Sequence, residues 1–143
     1  MRPTGPRRRP VFTALMLPGL ALGIAACSAA HVEMPPDQAT PAHVVRAYAN
    51  AVHAGDCATA GALVDGTSSW CGSIDITSLT VTNGTQEKKS TVSGDGPMIE
   101  RVWVNLTSHG SDISLPDGDH QWSYLLDRTG PHSAWRIYDQ GMG

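Results

Sequence analysis

The first 26 residues of this chain carry a charge and hydropathy pattern that separates them from the rest of the sequence. Four arginines lie within the first nine residues, and no acidic residue occurs before Glu33. Residues 11–26 are then apolar apart from Thr13. This run is too short to cross a bilayer, which takes about 20 apolar residues. A basic segment followed by a short apolar one that ends in small residues is typical of a secretory signal, so we expect the folded part of the protein to begin after it.

The apolar run ends at residues 22–27 in the sequence Leu-Gly-Ile-Ala-Ala-Cys. An aliphatic residue, two small residues and a cysteine resemble the bacterial lipobox. The resemblance implies a lipoprotein signal peptide at residues 1–26 and a mature protein that begins at Cys27, with diacylglycerol on its sulfur and fatty acyl chains such as palmitate. We therefore expect a lipid anchor on the extracytoplasmic face of the cell membrane. The alternative is a secreted protein with a coincidental cysteine, and the adjacent arginines leave both Sec and twin-arginine export open.

Removal of the signal changes the charge and with it the expected partners. The whole sequence has a formal net charge of −3, but four of its ten basic residues precede Cys27 and all thirteen acidic residues follow it. The mature chain therefore has six basic and thirteen acidic residues, a net charge of −7. An acidic domain lacks the electrostatic footprint of a nucleic-acid-binding protein. It also lacks a basic patch for anionic lipid, so attachment is expected through the acyl chains, at about 0.8 kcal/mol per buried CH₂.

The mature chain divides into a short linking segment and one domain. Residues 27–40 have few large apolar side chains and two adjacent prolines, which predicts a flexible tether behind the lipidated cysteine. The thirteen residues that follow the cysteine in this segment span at most about 45 Å when fully extended. Residues 41–143 amount to 103 residues, enough for one hydrophobic core but not for two.

The hydrophobic period of the domain changes from that of helices to that of strands. Thr40 followed by Pro41 predicts the start of a helix, and apolar residues recur at helical spacing up to Gly55. Asp56 predicts the cap of a second, shorter helix that ends by Gly66. Strand patterns then follow at Ile74 and Ile76, Leu79 and Val81, and residues 98–107, 121–127 and 135–138. Two helices followed by antiparallel strands predict an α+β fold.

The strand patterns also predict local features and faces. The apolar residues change parity between Ile76 and Leu79, which predicts a β-bulge or a change of exposed face. Asn83-Gly84 is a tight-turn dipeptide and predicts a hairpin. Shared faces are expected for Val102, Val104 and Leu106, for Ile99 and Trp103, and for Trp122, Tyr124 and Leu126.

Cys57 and Cys71 are the cysteines that remain after Cys27. Because an exported protein enters an oxidising compartment, such a pair predicts a disulfide. The bond would close a loop of 15 residues and stabilise the fold by about 3 kcal/mol. The alternatives are two unrelated thiols and a metal-binding pair, although the close spacing and the further ligands that zinc prefers are missing.

Two segments resemble the nuclear-transport-factor-2-like superfamily, which includes the SnoaL and ketosteroid-isomerase types. Residues 48–56, Tyr-Ala-Asn-Ala-Val-His-Ala-Gly-Asp, place an aromatic residue in the first helix and end on Ala-Gly-Asp before the second. Residues 134–141, Ala-Trp-Arg-Ile-Tyr-Asp-Gln-Gly, resemble the last strand, as in many small actinobacterial lipoproteins. The resemblance implies a cone-shaped, cystatin-like fold in which N-terminal helices pack on a curved antiparallel sheet, often with a pocket.

The superfamily contains isomerases, polyketide cyclases and limonene-epoxide-hydrolase-like enzymes as well as non-catalytic modules. The fold alone therefore does not determine the function. In ketosteroid isomerases the tyrosine at the position of Tyr48 donates to the oxyanion, which makes Tyr48 the one catalytic candidate here. The isomerase base lies in an acidic stretch ending in Asp-Pro after the second helix, and residues 65–71 contain no Asp-Pro. A buried tyrosine with a hydrogen-bonded hydroxyl is the structural alternative.

Other chemistry is not indicated by the sequence. The six histidines are dispersed, and no zinc-protease motif, phosphate-binding loop or nucleophile elbow occurs. Asp117, Asp119 and His120 are more typical of a turn than of a metal site, so neither metal nor cofactor is expected. The remaining pocket candidates are the aromatic residues Tyr48, Trp103, Trp122, Tyr124, Trp135 and Tyr138.

The resulting functional hypothesis is a membrane-anchored, extracytoplasmic binding module without catalysis. Its expected partner is a small apolar ligand in the cone or an envelope protein on the outer sheet face, and a dimer is compatible with either. One alternative is an isomerase-like or cyclase-like enzyme, which needs a carboxylate or imidazole within reach of the Tyr48 hydroxyl. The other is a structural envelope lipoprotein, which predicts a filled cone.

Overall fold

A computed structural model describes residues 30–67, 69–88, 98–110 and 112–142, with only the backbone described for residues 84–88. The predicted signal segment and Cys27 lie outside the described residues. Within the described ranges, no helix is long and apolar enough to cross a membrane.

Helix α1 spans Pro41–Ala54 and has the ends that the sequence predicts. The Thr40 hydroxyl accepts a hydrogen bond from the His43 N–H at 3.3 Å, which satisfies one of the free donors of the first turn. Gly55 ends the helix with φ of 69°, a left-handed conformation that glycine adopts without steric strain.

Helix α2 spans Cys57–Ala62 and is shorter than predicted. Asp56 caps it as expected, by accepting from the Thr59 N–H at 3.1 Å. The predicted continuation toward Gly66 is wrong, because Val64 forms a parallel bridge with Ile137 of the last strand. The Ile137 N–H donates to the Leu63 carbonyl at 3.0 Å, so sheet pairing takes over the backbone groups that a longer helix would use.

Four strands form one antiparallel sheet in the order β1-β2-β3-β4. Strand β1 spans Ile74–Lys88, β2 spans Met98–Gly110, β3 spans Gly118–Arg128 and β4 spans Arg136–Gly141. Each strand pairs with the next along the chain. The predicted α+β class is therefore confirmed.

Strand β1 confirms one local prediction and contradicts another. The register between β1 and β2 shifts between Ile76 and Ser78, as the change of parity predicts, and again between Val81 and Asn83. The predicted hairpin at Asn83-Gly84 is wrong: the strand continues through these residues, and Asn83 pairs with Trp103. A turn there would leave the first half of β2 without this partner strand, so pairing along the whole ladder outweighs the local turn preference.

The core lies between α1 and one face of the sheet. Tyr48 and Val45 of α1 are fully buried there. The residues predicted to share a face are buried together, namely Val102, Val104 and Leu106 on β2 and Trp122, Tyr124 and Leu126 on β3. Trp103 points to the opposite face and is half-buried.

The described part of the predicted tether differs from a free linker, because it lies along the domain. Val32 packs against the core, and its N–H donates to the Asp56 carboxylate at 2.9 Å. Farther along, Gln38 Nε2 donates to the His132 carbonyl at 3.0 Å, and Ala39 is buried. We call residues 31–39 the strap. Its few apolar side chains suffice for docking because Asp56 supplies acceptors that local sequence patterns do not reveal.

The predicted disulfide between Cys57 and Cys71 is present, with 5.2 Å between the two Cα atoms. It joins the first residue of α2 to the loop that enters β1. Closure of this loop stabilises the fold by about 3 kcal/mol in the chain-entropy account.

Candidate binding cleft

An open cleft of about 630 Å³ lies at one end of the sheet. Because neighbouring strands are antiparallel, the start of β1, the end of β2, the start of β3 and the end of β4 point to this end, which we call the cleft end. Its lining comes from loops and strand ends that are distant in sequence, chiefly Ser69, Trp70, Asp112, Ser114, Trp122 and Gln140.

The loop before β1 is fixed in place by several contacts. The backbone N–H of Trp70 donates to the Tyr48 hydroxyl at 3.0 Å, and the Ser73 hydroxyl donates to the Trp70 carbonyl at 3.0 Å. The neighbouring residue, Cys71, is bonded to Cys57 at the start of α2. One wall of the cleft is thus held by the helices as well as by the sheet.

Asp112 and Ser114, between β2 and β3, form another part of the lining. The Asp112 carboxylate accepts from the Ser114 N–H at 2.7 Å, and the Asp117 carboxylate accepts from the Gly110 N–H at 2.7 Å. Gly110 has φ of 152°, and a Cβ atom there would lie 2.5 Å from the Ser73 carbonyl oxygen. The close approach of β2 to the start of β1 therefore requires glycine.

Two indole rings and the Met142 side chain form the apolar part of the cleft. The ring centroids of Trp70 and Trp122 are 5.2 Å apart and their planes are tilted by 54°. Trp122 is only 2% exposed, and its Nε1 has no hydrogen-bond partner among the described residues. A buried donor without an acceptor costs about 1–3 kcal/mol, and the residue that carries it is one of those that line the cleft.

Two phenols lie behind this wall. The rings of Tyr48 and Tyr124 meet edge to face, with centroids 5.8 Å apart. Burial raises the pKa of Tyr48, against the opposing effect of hydrogen bonds from the Trp70 backbone and the Ser69 and Gln140 side chains. Burial, and then the proximity of Tyr48, raises the pKa of Tyr124 well above its usual value. Both phenols therefore stay neutral near pH 7, and the Tyr124 hydroxyl has no partner in the described part of the chain.

The structure separates the six predicted pocket residues into two groups. Trp122 lines the cleft, and Tyr48 and Tyr124 lie behind it. Trp135 is buried beneath the Arg128 guanidinium, 4.5 Å from the ring centroid, and Trp103 carries Arg101 at 5.5 Å on the outer sheet face.

The last predicted pocket residue, Tyr138, is half-buried on β4 where the register with β3 shifts between Leu125 and Leu126. It is not part of the cleft lining, and neither are Trp103 and Trp135.

Sequence reasoning missed Ser69, Gln140, Asp112 and Ser114 as parts of one site. The useful signal was Cys71, because a disulfide next to Trp70 fixes the loop that forms one wall.

The turn residues Asp119 and His120 make other contacts. Asp119 accepts from the Thr107 hydroxyl at 2.6 Å, and His120 Nε2 lies 2.6 Å from the Pro116 carbonyl. Among the described residues, no group of three or more His, Cys, Asp or Glu side chains is arranged to hold a metal ion.

No protein-family model matches the chain, and comparisons with curated protein sequences and with solved structures find no significant match.

Proposed function

We propose that this protein is a lipid-anchored, extracytoplasmic binding module of the nuclear-transport-factor-2-like type, and that the cleft is its ligand site. The lipobox-like residues 22–27 support the anchor. The order of two helices and then a four-stranded antiparallel sheet, with α1 packed on one face, supports the fold family.

The observation that carries the binding function is the Trp122 indole, which belongs to a residue of the cleft lining and has a buried Nε1 without a partner among the described residues. Beside it the cleft offers the Trp70 ring, hydroxyls at Ser69 and Ser114, and a carboxylate at Asp112. Pockets of this kind use apolar surface for affinity and a few polar groups for orientation. The ligand that fits is a small amphiphilic molecule with a flat apolar part and a hydrogen-bond acceptor.

This ligand class differs from the wholly apolar one that the sequence suggested. The space between α1 and the sheet is filled by buried side chains, including Tyr48 and Tyr124. The filled interior favours the cleft over a deep cone pocket as the place of binding. The same packing is what a purely structural lipoprotein would have, and the unpartnered indole favours the binding module over that alternative.

The enzymatic alternative depends on the surroundings of the Tyr48 hydroxyl. The hydroxyl accepts a hydrogen bond from the Trp70 backbone N–H, and the side chains of Ser69 and Gln140 lie close enough to lower its pKa. An isomerase-like or cyclase-like reaction needs a general base within hydrogen-bond reach of the same substrate. The hydroxyl is engaged in positioning the Trp70 loop, which favours a structural role for Tyr48.

Native mass spectrometry of the protein extracted from the membranes of its own host tests this proposal. We expect diacylglycerol on Cys27 and an additional non-covalent mass. Trp122→Phe removes the indole donor and keeps an aromatic ring, so it should lose the bound mass. The matched control Trp103→Phe, on the outer sheet face, should retain it. An unmodified Cys27 would contradict the anchor, and a folded Trp122→Phe protein that keeps its ligand would contradict the site.

A further inference from the structure

The strap runs from one end of the domain to the other. Gln38 contacts the carbonyl of His132, in the turn between β3 and β4, which lies at the end of the sheet opposite the cleft. Six residues earlier, Val32 contacts Asp56, directly after the C-terminus of α1.

The C-terminus of α1 belongs to the cleft end of the domain. His53 Nδ1, in the last turn of α1, lies 2.7 Å from the Asp75 carboxylate at the start of β1. Asp75 pairs with His109 near the end of β2. The strap therefore ends, in the direction of Cys27, at the same end of the sheet as the cleft.

The remaining distance to the proposed anchor is short. His31 Nδ1 lies 3.1 Å from the Asp56 carboxylate, so the docked chain extends to His31. From His31 to Cys27 there are four residue steps, which span at most about 14 Å at roughly 3.4 Å each. An acylated Cys27 would hold the cleft end close to the lipid surface.

The cleft end also carries exposed apolar side chains. Among the described residues, the large apolar side chains that are exposed are Met34 on the strap, Ile113 and Met142. Ile113 is fully exposed and lies between two residues of the cleft lining, Asp112 and Ser114. Met142 is 72% exposed, follows β4 and itself lines the cleft. Single exposed apolar side chains are common on protein surfaces, so the significance of these two lies in their position at the end of the sheet nearest to Cys27.

Charge restricts the kind of surface that this end can contact. Asp112 and Asp117 lie in the same loop as Ile113, and Asp119 follows at the start of β3. These carboxylates oppose close approach to an anionic bilayer, and the effect weakens as salt screens the charges. The apolar side chains have no such restriction, so zwitterionic lipid is the better match.

We infer that the cleft end rests on the lipid surface that holds the anchor, with Ile113 and Met142 in the membrane interface and the cleft opening towards the lipid. This inference rests on the proposed lipid anchor and adds an orientation to it. The apolar contact is small, so its role is to orient a domain that the acyl chains already hold at the surface.

The test uses the lipidated full chain in phosphatidylcholine vesicles. Ile113→Cys carries an environment-sensitive fluorophore, and His132→Cys, exposed at the opposite end, is the matched control. The native cysteines do not compete, because Cys57 and Cys71 are bonded to each other and Cys27 is acylated in the proposal. Emission is quenched either by a lipid with a spin label on its acyl chain or by iodide in the water.

We expect the label at position 113 to lose most of its emission to the spin-labelled lipid and little to iodide, with the reverse at position 132. Vesicles with added phosphatidylglycerol should weaken lipid quenching at position 113 at low salt. A lipidated protein whose two labels are equally open to iodide would overturn the orientation while the anchor stands. An intact mass without diacylglycerol would instead overturn the anchor, and the orientation with it.

Discussion

At the scale of single residues, Asp56 shows how one side chain holds two segments. Its carboxylate accepts from the N–H of Val32 at 2.9 Å and from the N–H of Thr59 at 3.1 Å. It also accepts from the Thr59 hydroxyl at 2.8 Å. The capping role follows from the local sequence, since Asp precedes a helix. The contact with the strap does not follow from the sequence, because Val32 lies 24 residues before Asp56 and no periodic pattern links these two residues.

We expect the folded protein to lose stability in acid as the Asp56 carboxylate becomes protonated. Hydrogen bonds from the Val32 and Thr59 backbones, in that order, lower its pKa from 3.8 to about 2. A carboxyl group with a lowered folded pKa stabilises the fold above its unfolded pKa, and this contribution is lost as the pH falls through the folded value. We expect Asp56→Asn to lower the melting temperature at pH 7 and to flatten its decline between about pH 4 and 2.

Circular dichroism melting across this pH range measures the effect. Asp37→Asn is the control, since Asp37 is exposed on the same strap. Its melting curves should follow those of the unchanged protein. An Asp56→Asn protein with the same decline in acid as the unchanged protein would show that another group determines acid stability.

Gly110 lies where β2 closely approaches the start of β1. A methyl group there would lie 2.5 Å from the Ser73 oxygen and 2.9 Å from the Ile74 Cα, both backbone atoms that cannot easily move. We expect Gly110→Ala to destabilise the fold by about 1–3 kcal/mol, as overpacking does. Gly61→Ala is the matched control, because nothing lies within 4 Å of its Cβ position in α2.

Denaturant unfolding compares the two alanine variants. Alanine in a helix should stabilise by about 0.5–1 kcal/mol relative to glycine, so the two midpoints should move in opposite directions. Equal midpoints would mean that β1 and β2 separate locally at no cost.

At the scale of elements, the ends of α1 follow from the sequence because Thr40 and Gly55 act on their own backbone neighbours. The end of α2 and the course of β1 did not, because distant partners determine them. Val64 leaves the helix to pair with Ile137, and Asn83-Gly84 stays in the strand opposite residues 102–103. Local propensity therefore determines the secondary structure only in segments where few long-range hydrogen bonds compete with it.

The disulfide joins two elements, α2 and the loop that enters β1. Replacing Cys57 and Cys71 together by serine should destabilise the fold by about 3 kcal/mol, because the unfolded chain regains the entropy of an open loop. The Trp70 loop should also loosen, since Cys71 is its neighbour, and iodide should quench more of the tryptophan emission. A reductant should bring the unchanged protein to the same unfolding midpoint and leave the serine variant unaffected. A variant with an unchanged midpoint would contradict a structural role for the bond.

For the whole molecule, the sequence predicts which residues share a face of the sheet better than it predicts which end of the sheet each residue lies near. The period of β3 correctly placed Trp122 and Tyr124 on one face, which the structure shows to be buried. It did not show that Trp122 lies at the cleft end, whereas Trp135 packs near the opposite end against Arg128. The position of a residue along the sheet depends on register and on bulges, and these emerge only when all four strands have paired. The strap adds a further long-range feature, since it determines which end of the domain is nearest to Cys27.

Because the strap links the domain to Cys27, we expect the hydrogen bond from the Val32 N–H to Asp56 to affect the orientation of the entire domain. Val32→Pro removes the N–H that donates to Asp56, whereas Val32→Ala keeps it, and both lose apolar contact. If that bond holds the start of the strap, its loss lengthens the free chain behind Cys27 and lets the domain turn away from the lipid. A fluorophore at position 113 should then become more open to iodide in the proline variant than in the alanine variant, in lipidated protein on phosphatidylcholine vesicles. Equal quenching in the two variants would show that the exposed apolar side chains, and not the strap, orient the cleft.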